Sequence, residues 1–273
     1  MAFVNDPDVK LLILIILGAG LAGAIWYYWD DIRPPADEPA IMQSAPVDTE
    51  QRGPREPIHP ISPLKSSGPF DGELVPLPPL DESDSYFLLA LVDVFGADIG
   101  RMLVNEALVD KFVATVDNLT RSHVSEKIQP VGRLSGTFVV DAAGNSGPFY
   151  LSPDNYQRYD LLVNLLTRAD LDVVAETYRR FYPLFQESYV RLGYPYGYFN
   201  DRVVEVIDHL LDTPEPAEPI QLVRPHVLYE FADPDLEALS SGQKLLLRTG
   251  NDHATRIKSA LRDLRVLVTQ SPG

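Results

Sequence analysis

The stretch YRRFYPLFQESYVRLGYPYGYF, residues 178–199, carries nine of the chain's 26 aromatic residues. Arg179, Arg180, Arg191 and Arg202 lie within it or just beyond it. Exposed rings offer flat faces with a polar edge, suited to a peptide or glycan, and guanidinium groups fork onto carboxylates. Helical spacing divides the run. Tyr178, Phe181, Tyr182, Phe185 and Tyr189 fall on one face of one helix and are expected in a core. Pro183 removes a backbone donor and crowds Arg179, so a kink or a break is expected there. Tyr194, Tyr196, Tyr198 and Phe199 follow Gly193 in a loop that no helical face claims. With the four arginines they form the candidate interaction surface, the competing use being packing back onto the bundle.

Other groupings carry less. Gly144-Asn145-Ser146-Gly147-Pro148 resembles the loop around a serine-protease nucleophile, but only His123 stands upstream within the domain, so a hairpin turn is expected. His59, His123, His209, His226 and His253 have no metal-ligand spacing, and with no cysteine a thiolate site is excluded. Neighbours on a helix point apart, so Asp208 does not orient His209, which is expected to be a satisfied helix histidine. Gly250 to Lys258 partly matches the second half of a helix-hairpin-helix, with Arg248 where the phosphate-binding glycine would stand. Lys244, Arg248, Arg256, Lys258, Arg262 and Arg265 form a candidate basic patch, facing solvent, an acidic partner or the domain's own acidic part. Nucleic acid is a remote partner, because a net charge of −16 repels phosphates. No catalytic residue, cofactor or metal is expected.

These residues need elements to hold them. Residues 11–29, LLILIILGAGLAGAIWYYW, contain no charge and are long enough for a transmembrane helix, with Trp26 to Trp29 as an interfacial aromatic belt. Ala22-Gly23-Ala24 leaves a cleaved signal peptide as the alternative. Small residues four apart, such as Gly18 and Ala22, could bring two anchors together in a homodimer. Residues 1–10 form a short tail, expected on the cytoplasmic side, and the domain is expected in the periplasm, with the anchor in the inner membrane. Twelve of the 24 prolines fall between residues 30 and 80. Residues 30–79 are therefore read as a disordered, acidic, Pro-rich tether.

Residues 80–268 read as a single mainly α domain with a minor β-hairpin, followed by a tail at 269–273. DSYFLLALVDVF is a helix capped by Asp81 or Ser83, and a short and a longer helix follow before GTFVV and PFYL, which are short strands. Ser152-Pro153-Asp154 starts a helix carrying Tyr156, Tyr159, Val163 and Leu166. Asp170 starts the helix of the aromatic run, and Asn200 is expected to cap the next. IQLVRPHVLYEF is partly extended. Asp233-Pro234 starts a helix to about Arg248, and Gly250 separates it from the last one.

The blocks FVATVDNL, NYQRYDLLV, YPLFQESYVRLGYP, FNDRVVEVIDHLLDTPEP and LEALSSGQKLLLRTG resemble a bacterial family, domain of unknown function 3014, over roughly residues 78–268. The resemblance implies an N-terminally anchored envelope protein of Gram-negative bacteria and carries no activity, ligand or catalytic residue. The expectation is a non-enzymatic, membrane-tethered adaptor or binding module that engages another envelope protein or the cell wall. An enzyme or accessory acting on cell-wall polymer through acidic residues is the alternative.

Overall fold

Apolar residues recurring at helical spacing, punctuated by Gly, Pro and Asp, become helices in the computed structural model, which describes residues 56–61, 76–132, 137–142, 147–225 and 229–270. The candidate anchor and its small-residue contact, most of the tether, residues 144–146 and His226 lie outside these. Among the described residues no helix is long and apolar enough to cross a membrane.

A 3-10 turn at Leu80–Glu82 leads into α1 (Asp84–Phe95), α2 (Ala97–Met102) and α3 (Leu108–Asn118). Neither Asp81 nor Ser83 caps α1; the Ser83 hydroxyl instead donates to Leu80 O at 2.7 Å. The acid that does cap is Asp84, and it caps a different helix. Its carboxylate accepts from Ala107 N at 2.8 Å and Leu108 N at 2.7 Å, satisfying the amides that open α3.

Strands β1 (Val140–Ala142) and β2 (Phe149–Leu151) precede α4 (Asp154–Gln157), α5 (Asp160–Thr167), α6 (Leu171–Arg191) and α7 (Phe199–Leu211). The extended segment then supplies β3 (Gln221–Val223) and β4 (Glu230–Phe231), so the expected hairpin is half of a four-stranded antiparallel sheet of order β1-β2-β3-β4. Helices α8 (Pro234–Glu237), α9 (Ser241–Thr249) and α10 (Asn251–Thr269) complete the domain.

Two cores result. The larger gathers Phe87, Phe112, Phe181, Phe185 and Phe199 with Tyr178 and Tyr189. Phe185 is the hub, with ring centroids 4.8 Å from Phe112, 5.4 Å from Phe87, 5.5 Å from Tyr178 and 5.9 Å from Phe199. The face read as core is core, with Tyr182 half-buried at its margin. Leu151, Ile220, Leu222, Phe231, Leu236 and Leu247 form the smaller core beneath the sheet.

Three helices divide or start differently from expectation. Residues 154–167 break at Arg158–Tyr159, because each half serves a different core. Asn155 Nδ2 donates to Val139 O at 2.6 Å, and its Oδ1 accepts from Val139 N at 2.9 Å, tying α4 to the sheet. Tyr159, Leu162 and Val163 are buried in the main core. The helix begun at Asp233 stops at Glu237, and Ser240 restarts it with a reciprocal capping box to Gln243. Asn200 is the fully buried second residue of α7 rather than its cap. By contrast α6 runs without a break through Pro183. Residues 56–61, within the stretch read as tether, have a defined path along the domain, with Ile61 against the main core.

Gly250 turns α9 into α10 at φ 85°, and a Cβ built there would lie 2.6 Å from Tyr156 Cδ2. Gly250→Ala is expected to cost about 2–4 kcal/mol from the strained backbone plus overpacking. Urea titration checks this: an unchanged midpoint would mean that Tyr156 does not close this turn.

Candidate functional site

The carboxylate of Asp170 starts α6 by accepting from Asp172 N at 3.0 Å. After Arg191 the chain reverses at Gly193, φ 116°, and the aromatic loop begins. Gln186 folds that loop back: its Nε2 donates to Gly197 O at 2.8 Å and its Oε1 accepts from Phe199 N at 2.9 Å. Tyr194 stacks on Tyr189 with centroids 4.5 Å apart and rings 15° from parallel. Of the four loop aromatics expected at the surface, Phe199 is fully buried, because α7 starts there and turns its ring into the Phe185 cluster. Tyr194 and Tyr198 are half-buried, and Tyr196 is 51% exposed.

The arginines are engaged within the domain. Arg202 donates through Nε to Asp117 Oδ1 at 3.0 Å and through Nη2 to Asp117 O at 2.5 Å and Thr120 Oγ1 at 2.6 Å. Its Nη1 meets Glu205 at 2.8 Å. Burial would lower the Arg202 pKa, but Glu205 and Asp117 outweigh it and the net shift is upward. Arg179 donates to Leu267 O at 2.8 Å, Arg191 bridges Asp81 and Glu187 at 2.6 and 2.7 Å, and Arg180 also has partners.

Asp117 is the residue that joins this network, and sequence reading passed over it. Its side chain is 3% exposed and faces Arg202, Arg121 at 3.1 Å and the Tyr194 hydroxyl, which donates at 3.1 Å. Burial and then the Asp117 charge raise the Tyr194 pKa and keep that hydroxyl protonated. The available signal was an acid placed on the buried side of α3 beside Val116, since such a charge needs a partner.

The candidate basic patch does not form one surface. Lys244 and Lys258 are buried, the first paired with Glu237, the second donating to Thr213 O at 2.6 Å and Glu215 at 2.9 Å. Arg256 donates to Asn164 and Thr167, and Arg265 pairs with Asp208 in two bonds of 2.5 and 2.9 Å. Arg248 lies 5.8 Å over the Phe231 ring, with its pKa lowered by burial. Arg262 alone among the six is exposed. At the start of α10, where a helix-hairpin-helix would meet phosphate, the Glu218 carboxylate accepts from Asn251 N at 2.9 Å.

His209 is satisfied by Ser240, with Nε2 2.8 Å from Oγ, while Asp208 turns to Arg265. Among the described residues no three His, Asp or Glu side chains converge as a metal site would. What stays open is an edge. Val190, Leu192 and Tyr196 are 41%, 42% and 51% exposed at the end of α6 and in its loop. Leu192 and Arg191 border a groove of about 380 Å³ lined also by Ala107, Ala114, Lys111 and Ile128.

Two measurements check this account. Asp117→Ala leaves Arg202 without its buried partner and is expected to cost about 3–5 kcal/mol; a loss under about 1 kcal/mol would remove Asp117 from its central role. Burial, then the Arg202 charge, lowers the His209 pKa, so the folded state binds fewer protons than the unfolded chain. Stability is therefore full above the unfolded value of about 6.5 and falls as pH drops below it. In thermal unfolding between pH 7.5 and 5, His209→Gln is expected to show a shallower decline than the native chain; parallel curves would refute it.

The profile of the family described as "Protein of unknown function (DUF3014)" matches residues 108–265. No curated protein and no solved structure matches the chain.

Proposed function

We propose that this chain, which belongs to the DUF3014 family, is a non-enzymatic binding module of the bacterial envelope. Residues 11–29 anchor it in the inner membrane, the Pro-rich stretch after them gives reach, and the helical domain engages another envelope protein in the periplasm. Support for the anchor is its uncharged apolar length and the Trp-Tyr-Tyr-Trp belt that follows.

One observation carries the binding role. On a strongly acidic domain, three large apolar side chains, Val190, Leu192 and Tyr196, stand exposed within seven residues, and Leu192 borders the groove. Exposed aromatic and aliphatic side chains close together in sequence, one of them on a groove, are the composition of an interface centre rather than of ordinary acidic surface. Gln186 and the stacked Tyr189 and Tyr194 rings fix the loop from beneath, so little ordering cost remains on binding.

Photo-crosslinking in cells tests the reading. A crosslinker at Tyr196 or Leu192 of the full chain is expected to capture one recurrent envelope protein. The same group at Val266, exposed on α10, is expected not to capture it. Equal capture from both positions, or lipid alone, would defeat the proposal.

A further inference from the structure

Residues 56–61, EPIHPI, lie along the start of α7 with a bend at Ile58 and His59, and their exposure alternates. Pro57, His59 and Ile61 are half-buried toward the domain, while Glu56, Ile58 and Pro60 face outward. That is the pattern of a peptide bound on one face.

The contacts read backbone. Ile58 N donates to Asp201 Oδ2 at 3.0 Å and His59 N to Asp201 Oδ1 at 2.7 Å, so one carboxylate takes two successive amides. Pro57 and Pro60 have no N–H, so these two are the only backbone donors from 57 to 60, and both are matched. Asn200 Nδ2 donates to His59 O at 2.9 Å. Asn200 is itself held from behind. Its Nδ2 also donates to Val268 O at 3.0 Å, and its Oδ1 accepts from the Tyr178 hydroxyl at 3.0 Å. Its orientation therefore does not depend on the segment it binds. Ile61 reaches the main core and supplies the apolar anchor.

We infer that Asn200 and Asp201 form a recognition site for a bent, proline-flanked peptide, and that residues 56–61 occupy it in cis. The required pattern is two consecutive residues with free amides between prolines, followed by an apolar residue. The prolines fix their own φ and restrict the residue before each of them, which reduces the entropy lost on docking. Three hydrogen bonds and one isoleucine make a weak contact between separate chains. Only fourteen residues join Ile61 to Pro76, however, and so short a link gives an effective concentration of millimolar order. The site is thus kept filled by its own chain and yields to a competitor of the same pattern.

The test uses the full chain in detergent and a fluorescent peptide of residues 54–63. His59→Pro removes one matched amide without altering the domain. Binding of the peptide to that variant is expected to be about tenfold tighter than to the native chain, whose site is filled. Adding Asp201→Asn, which exchanges one accepting oxygen for a donor, is expected to weaken it by about tenfold or more. In the native chain the amides of Ile58 and His59 should exchange with deuterium slowly, and in Asp201→Asn fast, with an unchanged circular dichroism spectrum excluding unfolding. Equal peptide binding with and without Asp201→Asn, no binding to any variant, or equally fast exchange in both chains would overturn the inference. None of these readouts involves Tyr196 or Leu192, so the envelope-partner reading stands or falls separately.

Discussion

A carboxylate with almost no contact with water is the constraint around which this domain closes. Asp117 sits at the end of α3, and its charge must be met by groups from elsewhere in the chain. Arg202 comes from α7, Tyr194 from the loop after α6, and Arg121 from the turn that follows α3. Those three pieces are fixed relative to one another because each serves the same two oxygens. The aromatic cluster beneath supplies most of the buried area, and the charge network decides how the helix ends meet. A wrong register between α3 and α7 would leave an ion buried alone, which costs far more than a misplaced ring.

The same logic governs the cations. An acidic chain with 23 Lys and Arg against 39 Asp and Glu would ordinarily hold its positive charges at the surface as scattered counter-ions. Here several are drawn inward. Lys258 takes a carbonyl and a carboxylate of the proline-rich connection and Lys244 takes Glu237, while Arg265, nearer the surface, takes Asp208. Each joins segments distant in sequence or closes a helix boundary. Such pairs add little net stability when compared with apolar alternatives, but they penalise alternative arrangements. The uncompensated negative charge is left outside, where it opposes association with phosphate polymers.

Helical faces were legible because periodicity is a local property. The positions from Tyr178 to Tyr189 needed no tertiary information to be placed in the core, and the Asp170 cap and the Gly193 stop were readable from residue type. What stayed illegible depended on partners far away in the chain. Phe199 reads as a loop residue until α7 is known to start there, and Asn200 reads as a cap until Tyr178 and Val268 are seen around it. The break at Tyr159 follows from two cores competing for one apolar stretch, and no propensity encodes that. Lys244 and Lys258 looked like surface because lysine usually is, and only their specific acceptors reverse the expectation. The seat of residues 56–61 was hidden for a different reason. A proline-rich composition describes a segment's inability to fold alone and is silent on whether another surface will hold it.

The last turn of α10 is bonded to the middle of the domain. Leu267 O accepts from Arg179 in α6, and Val268 O accepts from Asn200 in α7. In time as well as in space, α10 is therefore the closing piece. A chain emerging from the ribosome has α6 and α7 long before it has the carbonyls that complete their contacts. One acceptor of Arg179 and one of Asn200 arrive only with residues 251–269.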